Sequence, residues 1–470
     1  MNLKRLFFDI RIWIIFFFLI RLIGITNPPL EVGHSWRQTT VTMVARNFYE
    51  VDNNIFYPRI DIAGEKTGIT GMEFPLLNYL IYLVSVLFGY QHWYGRLINL
   101  FFSSLGLLFF YKLLRKYFSE QVSFYSTIIL TVSIWFQFSR KIMPDTFAMS
   151  LIIASIYYGT NYLETRQYKK QYIYLLSYFL FMCIGILSKL PSACLLVVFG
   201  FYLLDKQIPK KKKSMFSLVT FIGLIPVFIW YFYWVPYLNK EYDFKHFFMG
   251  KSIIWGFKEI IQFANLILGR FYETALQFIG FAAFIYGLII SIRKRDRKIY
   301  SVFIITLVFF SFIILKAGST FAHHNYYIIP FVPVMALVAG YGLSQIKNSK
   351  IAVIILFAIS VEGIANQHQD FKIKEKNKSL LNLEKDLNKV SDKDDLIIIN
   401  SGIYPTPMYF SHHKGWIDSN NKINDEKYIN DLKAKGLKYI IILKQSFGTE
   451  IKFSQYKKVL ENVDYCIYQL

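Results

Sequence analysis

The sequence predicts an all-α polytopic membrane bundle of about 11 crossings plus interfacial helices, followed by a small C-terminal α/β domain outside the membrane. Three observations predict it. Apolar runs recur from Ile10 to Gly363, and the chain is 54% hydrophobic and 19% aromatic, more than soluble domains usually are. Short basic clusters punctuate those runs. After Gln367 the composition turns to Lys, Asp and Asn, with short β-type and helical patterns.

The first apolar run has no small-residue cleavage site and stops at Asn27-Pro28-Pro29, so it reads as a retained span rather than a signal peptide. Topology follows from charge. The clusters are Lys4/Arg5/Arg11, Lys112/Arg115/Lys116, Arg166/Lys169/Lys170, Lys210 to Lys213, Arg293 to Lys298, and Lys347/Lys350. All can stay cytoplasmic only if an even number of crossings separates each from the next. Between Arg11 and Lys112 lie runs at 12–26, 74–90 and 94–111, so one of them does not cross. The choice is 74–90, which opens on Glu73-Phe-Pro75, ends at Gly89 and reads as an interfacial or re-entrant helix. The remaining spans are 120–138, 146–163, 172–189, 191–205, 215–235, 272–292, 299–315, 326–345 and 351–366. This places the N-terminus in the cytoplasm and the C-terminal domain outside the cytoplasmic (inner) membrane.

The domains are then 1–366, the membrane bundle, and 367–470, the extracytoplasmic α/β domain. In the latter, Lys376 to Val390 has helical apolar spacing, and Leu396–Ile399, Tyr439–Leu443 and Tyr465–Leu470 read as strands. A net charge of +22 would suggest nucleic acid in a soluble chain. Here it falls in loops between apolar runs, where it sets topology and meets anionic lipid, so nucleic acid is not an expected partner. Three cysteines make no disulfide or zinc framework. No internal repeat marks a two-half transporter.

The stretch Glu31-Val-Gly-His34-Ser-Trp36-Arg37-Gln concentrates a carboxylate, an imidazole, an indole and a guanidinium at a membrane exit. The topology puts it on the outer face with Lys66, Glu73, Arg140, Lys141, Asp145, Lys316, His323, His324, Tyr326 and Tyr327. Glu31, partly desolvated, has the chemistry of a general base; equally, it is a loop acid paired with Arg37. Asp145 follows Pro144 at a helix start, where a negative charge stabilises the dipole; its functional alternatives are a metal ligand or a carboxylate holding the acceptor or Arg140. Arg37, Arg140, Lys66 and Lys316 fit a phosphate at headgroup level or ordinary snorkelling. Arg21 lies inside the first span, where a charge costs about 2.5–3.5 kcal/mol at the centre, so it faces the bundle. One of His323 and His324, with Tyr326 and Tyr327, stands at the site edge or in an aromatic belt. His412-His413-Lys-Gly-Trp416 reads as a surface loop.

The order and spacing of these features resemble the GT-C class of polyprenol-phosphate-sugar-dependent glycosyltransferases, in particular the bacterial protein O-mannosyltransferase and aminoarabinose transferase (family 39-like) group. The resemblance runs through most of 12–345. It is carried by Arg21 in the first span, Glu31 with His34-Ser-Trp36-Arg37-Gln, Glu73-Phe-Pro75-Leu-Leu-Asn-Tyr79 running to Phe88-Gly89 and Arg96-Leu97, and Met143-Pro144-Asp145. It implies that Glu31 is the catalytic base and that Asp145 supports it or a metal. Arg21, His34, Arg37, Lys66, Glu73, Arg140, Lys316 and His324 then bind substrate. Two departures stand out. Many members carry an Asp-Glu pair where this chain has Leu30-Glu31, and Lys-Pro-Pro where it has Glu73-Phe74-Pro75, so Lys66 or Arg37 replaces the phosphate-binding lysine.

The implied activity is transfer of a hexosyl or pentosyl group from a polyprenyl-phosphate donor to an extracytoplasmic protein, lipid or glycan, with inversion. No cofactor is required by the pattern, and a divalent metal at Asp145 stays open. The alternatives are a transporter or flippase of lipid-linked sugars and a glycan polymerase or ligase.

Overall fold

A computed structural model describes residues 8–246, 250–447 and 453–470. The chain forms two compact units. The first is Met1–Ile25, Arg96–Phe232 and Phe248–His368; the second is Thr26–Gly95, Tyr233–Phe247 and Gln369–Leu470.

The first unit is helical. Among the described residues, five helices are long and apolar enough to cross a membrane: Tyr94–Tyr117, Lys169–Ser188, Lys210–Glu241, Arg297–Ala317 and Ser349–Phe371. Ala264–Ala275 and Gln277–Arg293 meet at 95°, and would add a sixth if read as one broken span. Five or six helices thus meet that test of length and composition, against an expectation of eleven crossings, and several of the other apolar runs are locally interrupted. The 120–138 run breaks at Ser133, whose hydroxyl accepts the Trp135 N–H and starts a new helix, Ile134–Phe138. Pro191 sits in a 3₁₀ segment, Leu190–Val198, before Phe199–Leu204 continues as α-helix. Val332–Ser344 has 13 residues, as does Leu76–Phe88 in the second unit. A helix of that length spans about 20 Å, short of a core of about 30 Å. For Leu76–Phe88 this agrees with a helix that does not cross. Of the basic clusters, Lys4 and Arg5 lie outside the described residues.

Small residues let the first unit's helices approach closely, as membrane bundles require. A Cβ at Gly106 would stand 2.3 Å from Ser150 Oγ, so Tyr94–Tyr117 and Pro144–Glu164 touch nearly backbone to backbone.

The second unit holds a five-stranded sheet: β1 Leu396–Ile399, β2 Gly415–Ile417, β3 Leu437–Leu443, β4 Lys457–Glu461 and β5 Tyr465–Gln469, in the order β2-β1-β3-β5-β4. β1 runs parallel to β2 and β3; β5 is antiparallel to β3 and β4. Successive strand residues face opposite sides, and the two cores follow that period. Ile397, Ile399, Ile441 and Leu443 pack with Leu30, Met43, Val44 and Phe48. Ile398, Ile440 and Ile442 pack with Ile429 and Leu432 of the Glu426–Ala434 helix. The Ser35–Glu50 helix is thus one wall of the sheet's core. Two expectations are corrected. The continuous helix over 376–390 is three short pieces, Glu375–Lys378, Ser379–Asn382 (3₁₀) and Leu383–Leu387. The His412 to Trp416 stretch enters an edge strand at Gly415 rather than staying a surface loop, with His413 buried.

Candidate active site

In the first unit, the site residues gather around the loop before the Pro144–Glu164 helix. Asn99 organises that loop: its amide nitrogen lies 2.8 Å from the carbonyl oxygens of Phe138 and Lys141 and 3.2 Å from that of Met143. Its own oxygen accepts from Ser103 at 3.0 Å and Thr146 at 3.1 Å. Asp145 emerges from this frame in the first helical turn, buried, with Pro144 supplying a preset φ.

Lys189 Nζ stands 3.5 Å from Asp145 Oδ1. The same ammonium lies 5.4 Å from the ring centre of Tyr326 and 5.8 Å from that of Tyr327, within cation–π range. His324 stacks on Tyr326 at 5.5 Å. Lys189 was not among the residues expected from sequence. Its signal is modest: a lysine closing an apolar run, two residues ahead of Pro191.

The cations expected at this surface have specific partners. Arg140 donates to the carbonyl oxygens of Ile23 at 2.6 Å and Gly24 at 2.8 Å, past the C-terminus of the Ile10–Leu22 helix. A cation there satisfies terminal carbonyls and complements the helix dipole. Arg21 faces the bundle, as its place in an apolar run requires. It donates to Phe17 O at 2.9 Å and to the Ser139 hydroxyl, and lies 5.6 Å from the Phe136 ring centre. Its acceptors are neutral, and Nη2 has no hydrogen-bond partner among the described residues. Lys316 is exposed at the end of Arg297–Ala317.

In the second unit, Glu31 is fully buried and forms a β-bridge with Ile373. The following Val32 N–H donates to Lys372 O at 2.9 Å, so this strand-like contact fixes the acid's backbone. His34 adopts a left-handed conformation (φ 58°, ψ 40°) that turns the chain into the Ser35–Glu50 helix. Arg37, in its first turn, meets Glu73 at 2.5 Å, with side chains 11% and 7% exposed. His246, another residue the sequence did not flag, donates its backbone N–H to the Thr70 hydroxyl at 3.3 Å. Lys66 pairs with Asp243 at 2.6 Å.

Further along the same helix, Arg46 and Asn47 hold Asp61 at 3.0 and 2.7 Å. Glu50 and Glu384 grip the two ring nitrogens of His412 at 2.8 and 2.5 Å. Among the described residues, no group of three or more His, Cys, Asp or Glu side chains converges to hold a metal ion.

These features define a polytopic membrane protein with buried acids and cations and a small sheet-containing unit, and the chain resembles GT-C glycosyltransferases in both family model and fold. Residues 73–231 match the model described as dolichyl-phosphate-mannose-protein mannosyltransferase. ArnT from Cupriavidus metallidurans in the apo state matches with a TM-score of 0.63 at 12% identity, over 97% of both chains. ArnT bound to undecaprenyl phosphate matches with a TM-score of 0.61 at 9% identity, over 97% of this chain and 98% of that one. The apo oligosaccharyltransferase of Archaeoglobus fulgidus matches at 0.55 and 12% identity, over 91% of this chain and 69% of that one. At these identities the likeness is one of fold. No curated protein matches the chain by sequence.

Proposed function

We propose that the protein is an integral-membrane glycosyltransferase that moves a sugar from a polyprenyl-phosphate donor to an acceptor outside the cytoplasmic membrane, with inversion. The observation that carries this reading is the fold held in common with ArnT over 97% of both chains. That ArnT also has a structure with undecaprenyl phosphate bound supports a lipid-phosphate donor.

Glu31 is the general base. It takes the proton of the acceptor hydroxyl while the oxygen bonds to the anomeric carbon, and the bond from that carbon to the phosphate oxygen breaks. The lipid phosphate leaves with the electron pair, and a cation stabilises the developing charge. Arg37 and Arg21 are the candidates for that cation, the second because it is a buried charge held only by neutral acceptors. Asp145 supports the reaction through Lys189. Glu73 and Arg140 position their neighbours, while His34, Lys66, Lys316 and His324 contact donor or acceptor.

The test is transfer of radiolabelled sugar from membranes preloaded with polyprenyl-phosphate sugars. Glu31→Gln should reduce transfer by about 10²–10⁴-fold with the protein still folded. Asp145→Asn should reduce it too. Full activity in both variants would sink the site, and movement of the lipid-linked sugar between leaflets without transfer would replace the reading with transport. The likeness to an oligosaccharyltransferase favours one second reading, transfer of a preassembled glycan. The size of the group gained by the acceptor separates the two.

A further inference from the structure

A cavity of about 480 Å³ opens in the first unit among the helices Tyr94–Tyr117, Pro144–Glu164, Phe199–Leu204 and Arg297–Ala317, and none of the residues assigned above lines it. Its walls change character in register. Tyr117 is polar, and one turn inward Leu113 is apolar. Thr160 gives way to Ile156, Tyr202 to Val198, and the Arg297/Lys298 pair to Val302. Each step is four or five residues along its own element, about 6 to 8 Å where that element is α-helical. Although Phe118 stands at the mouth and Ser301 beside Val302, the walls pass in the main from polar to apolar over that distance, as a bilayer leaflet does from headgroup to acyl chain.

The charge at the mouth is selective. Tyr117 donates to Glu164 at 2.5 Å, the Tyr202 hydroxyl lies 3.2 Å from the same carboxylate oxygen, and Lys116 meets the other oxygen at 2.9 Å, so that acid is answered within the protein. Asp205, also at the mouth, accepts the Gln207 N–H at 2.9 Å. Arg297 and Lys298 are exposed, and neither has an ion-pair or side-chain hydrogen-bond partner among the described residues. They belong to the basic stretch Arg293 to Lys298, and the neighbouring Lys210 to Lys213 adds positive charge. Basic pockets between membrane helices on the positive side of a protein recognise anionic headgroups.

We infer that this groove binds one acidic diacyl phospholipid of the leaflet facing the basic loops. Its phosphate sits at Arg297 and Lys298, and an acyl chain runs past Leu113, Ile156 and Val302. The site is independent of the transferase reading and uses none of its residues.

The test is native mass spectrometry of the full chain in mild detergent, titrated with dioleoyl phosphatidylglycerol or dioleoyl phosphatidylcholine. The expected result is one phosphatidylglycerol per chain, with phosphatidylcholine about tenfold weaker or more. The double variant R297Q/K298Q, altered only at exposed positions, should bind the two lipids equally. Val302→Trp, which fills the groove below the headgroup, should lose phosphatidylglycerol while keeping both cations. Equal binding of the two lipids by the wild type, or undiminished phosphatidylglycerol on R297Q/K298Q or on a folded Val302→Trp, overturns the inference. Displacement of phosphatidylglycerol by equimolar undecaprenyl phosphate also overturns it, assigning the groove to a polyprenol chain instead.

Discussion

Asp145 and Glu73 are both buried acids beside a cation, and they are held in opposite ways. Arg37 reaches Glu73 at 2.5 Å, a charge-assisted hydrogen bond between two nearly buried side chains. Lys189 stops 3.5 Å from Asp145, beyond the usual N–H···O range of about 2.7–3.2 Å, with two tyrosine rings sharing its field. The first arrangement is a closed brace. The second is a longer, electrostatic contact. A buried acid–cation pair is therefore no single kind of object: one is a short hydrogen bond, the other a longer electrostatic contact shared with aromatic rings.

The largest expected effect breaks the brace. Arg37→Ala leaves Glu73 buried without that cation and should cost about 3–5 kcal/mol of stability, read as a fall in Tm, with R37A/E73A recovering part of it. A loss below about 1 kcal/mol would mean the pair is not a brace. Next, Lys189→Met should cost less, about 1–3 kcal/mol, yet reduce sugar transfer by about 10²-fold. Equal destabilisation by Lys189→Met and Arg37→Ala would erase the distinction.

The smallest effect is pH-dependent and confined to the second unit. Burial and Arg46 oppose the charge on His412, but hydrogen bonds to Glu384 and Glu50 raise it above 6.5. Its contribution is full below that value and drains away as pH rises through the raised one. Burial also opposes the charge on Glu50, but His412 and Lys393 hold it down to about 2 from 4.5, so its contribution is full above 4.5 and is lost as pH falls toward 2. The clamp is complete between about pH 4.5 and 6.5. A Tm profile from pH 4.5 to 8.5 should decline on its alkaline side, and His412→Gln should flatten that decline. An identical profile for the variant would remove His412 from the account.

The central strands β1, β3 and β5 were legible because they are apolar runs between polar segments. The edges were not: β2 has three residues, and β4 begins Lys457-Lys458 and ends at Glu461, the charged composition that protects a sheet edge. Runs expected as single spans are interrupted at Ser133 and Pro191, because hydropathy does not register a break in helical geometry. The inward orientation of Arg21 was readable from its cost in an apolar segment, but not its Ser139 acceptor, which lies 118 residues away. The partners of Arg140 are backbone carbonyls, which every residue carries and no motif records. Nor does any local pattern mark His246 or join Thr26–Gly95 to a sheet formed hundreds of residues later.

Asn99 has a wider consequence. The loop leading to Asp145 is secured through the carbonyls of residues 138, 141 and 143 by one uncharged amide. That part of its hold runs through backbone atoms, which every residue supplies, so it persists so long as the anchor keeps its two hydrogens and its neutrality. Exchanging that anchor for an aspartate, nearly the same in volume, would aim a negative charge at three oxygens and release the loop. Backbone anchoring of this kind is one physical route by which an architecture outlasts its sequence, down to the 12% identity that separates this chain from its structural counterpart.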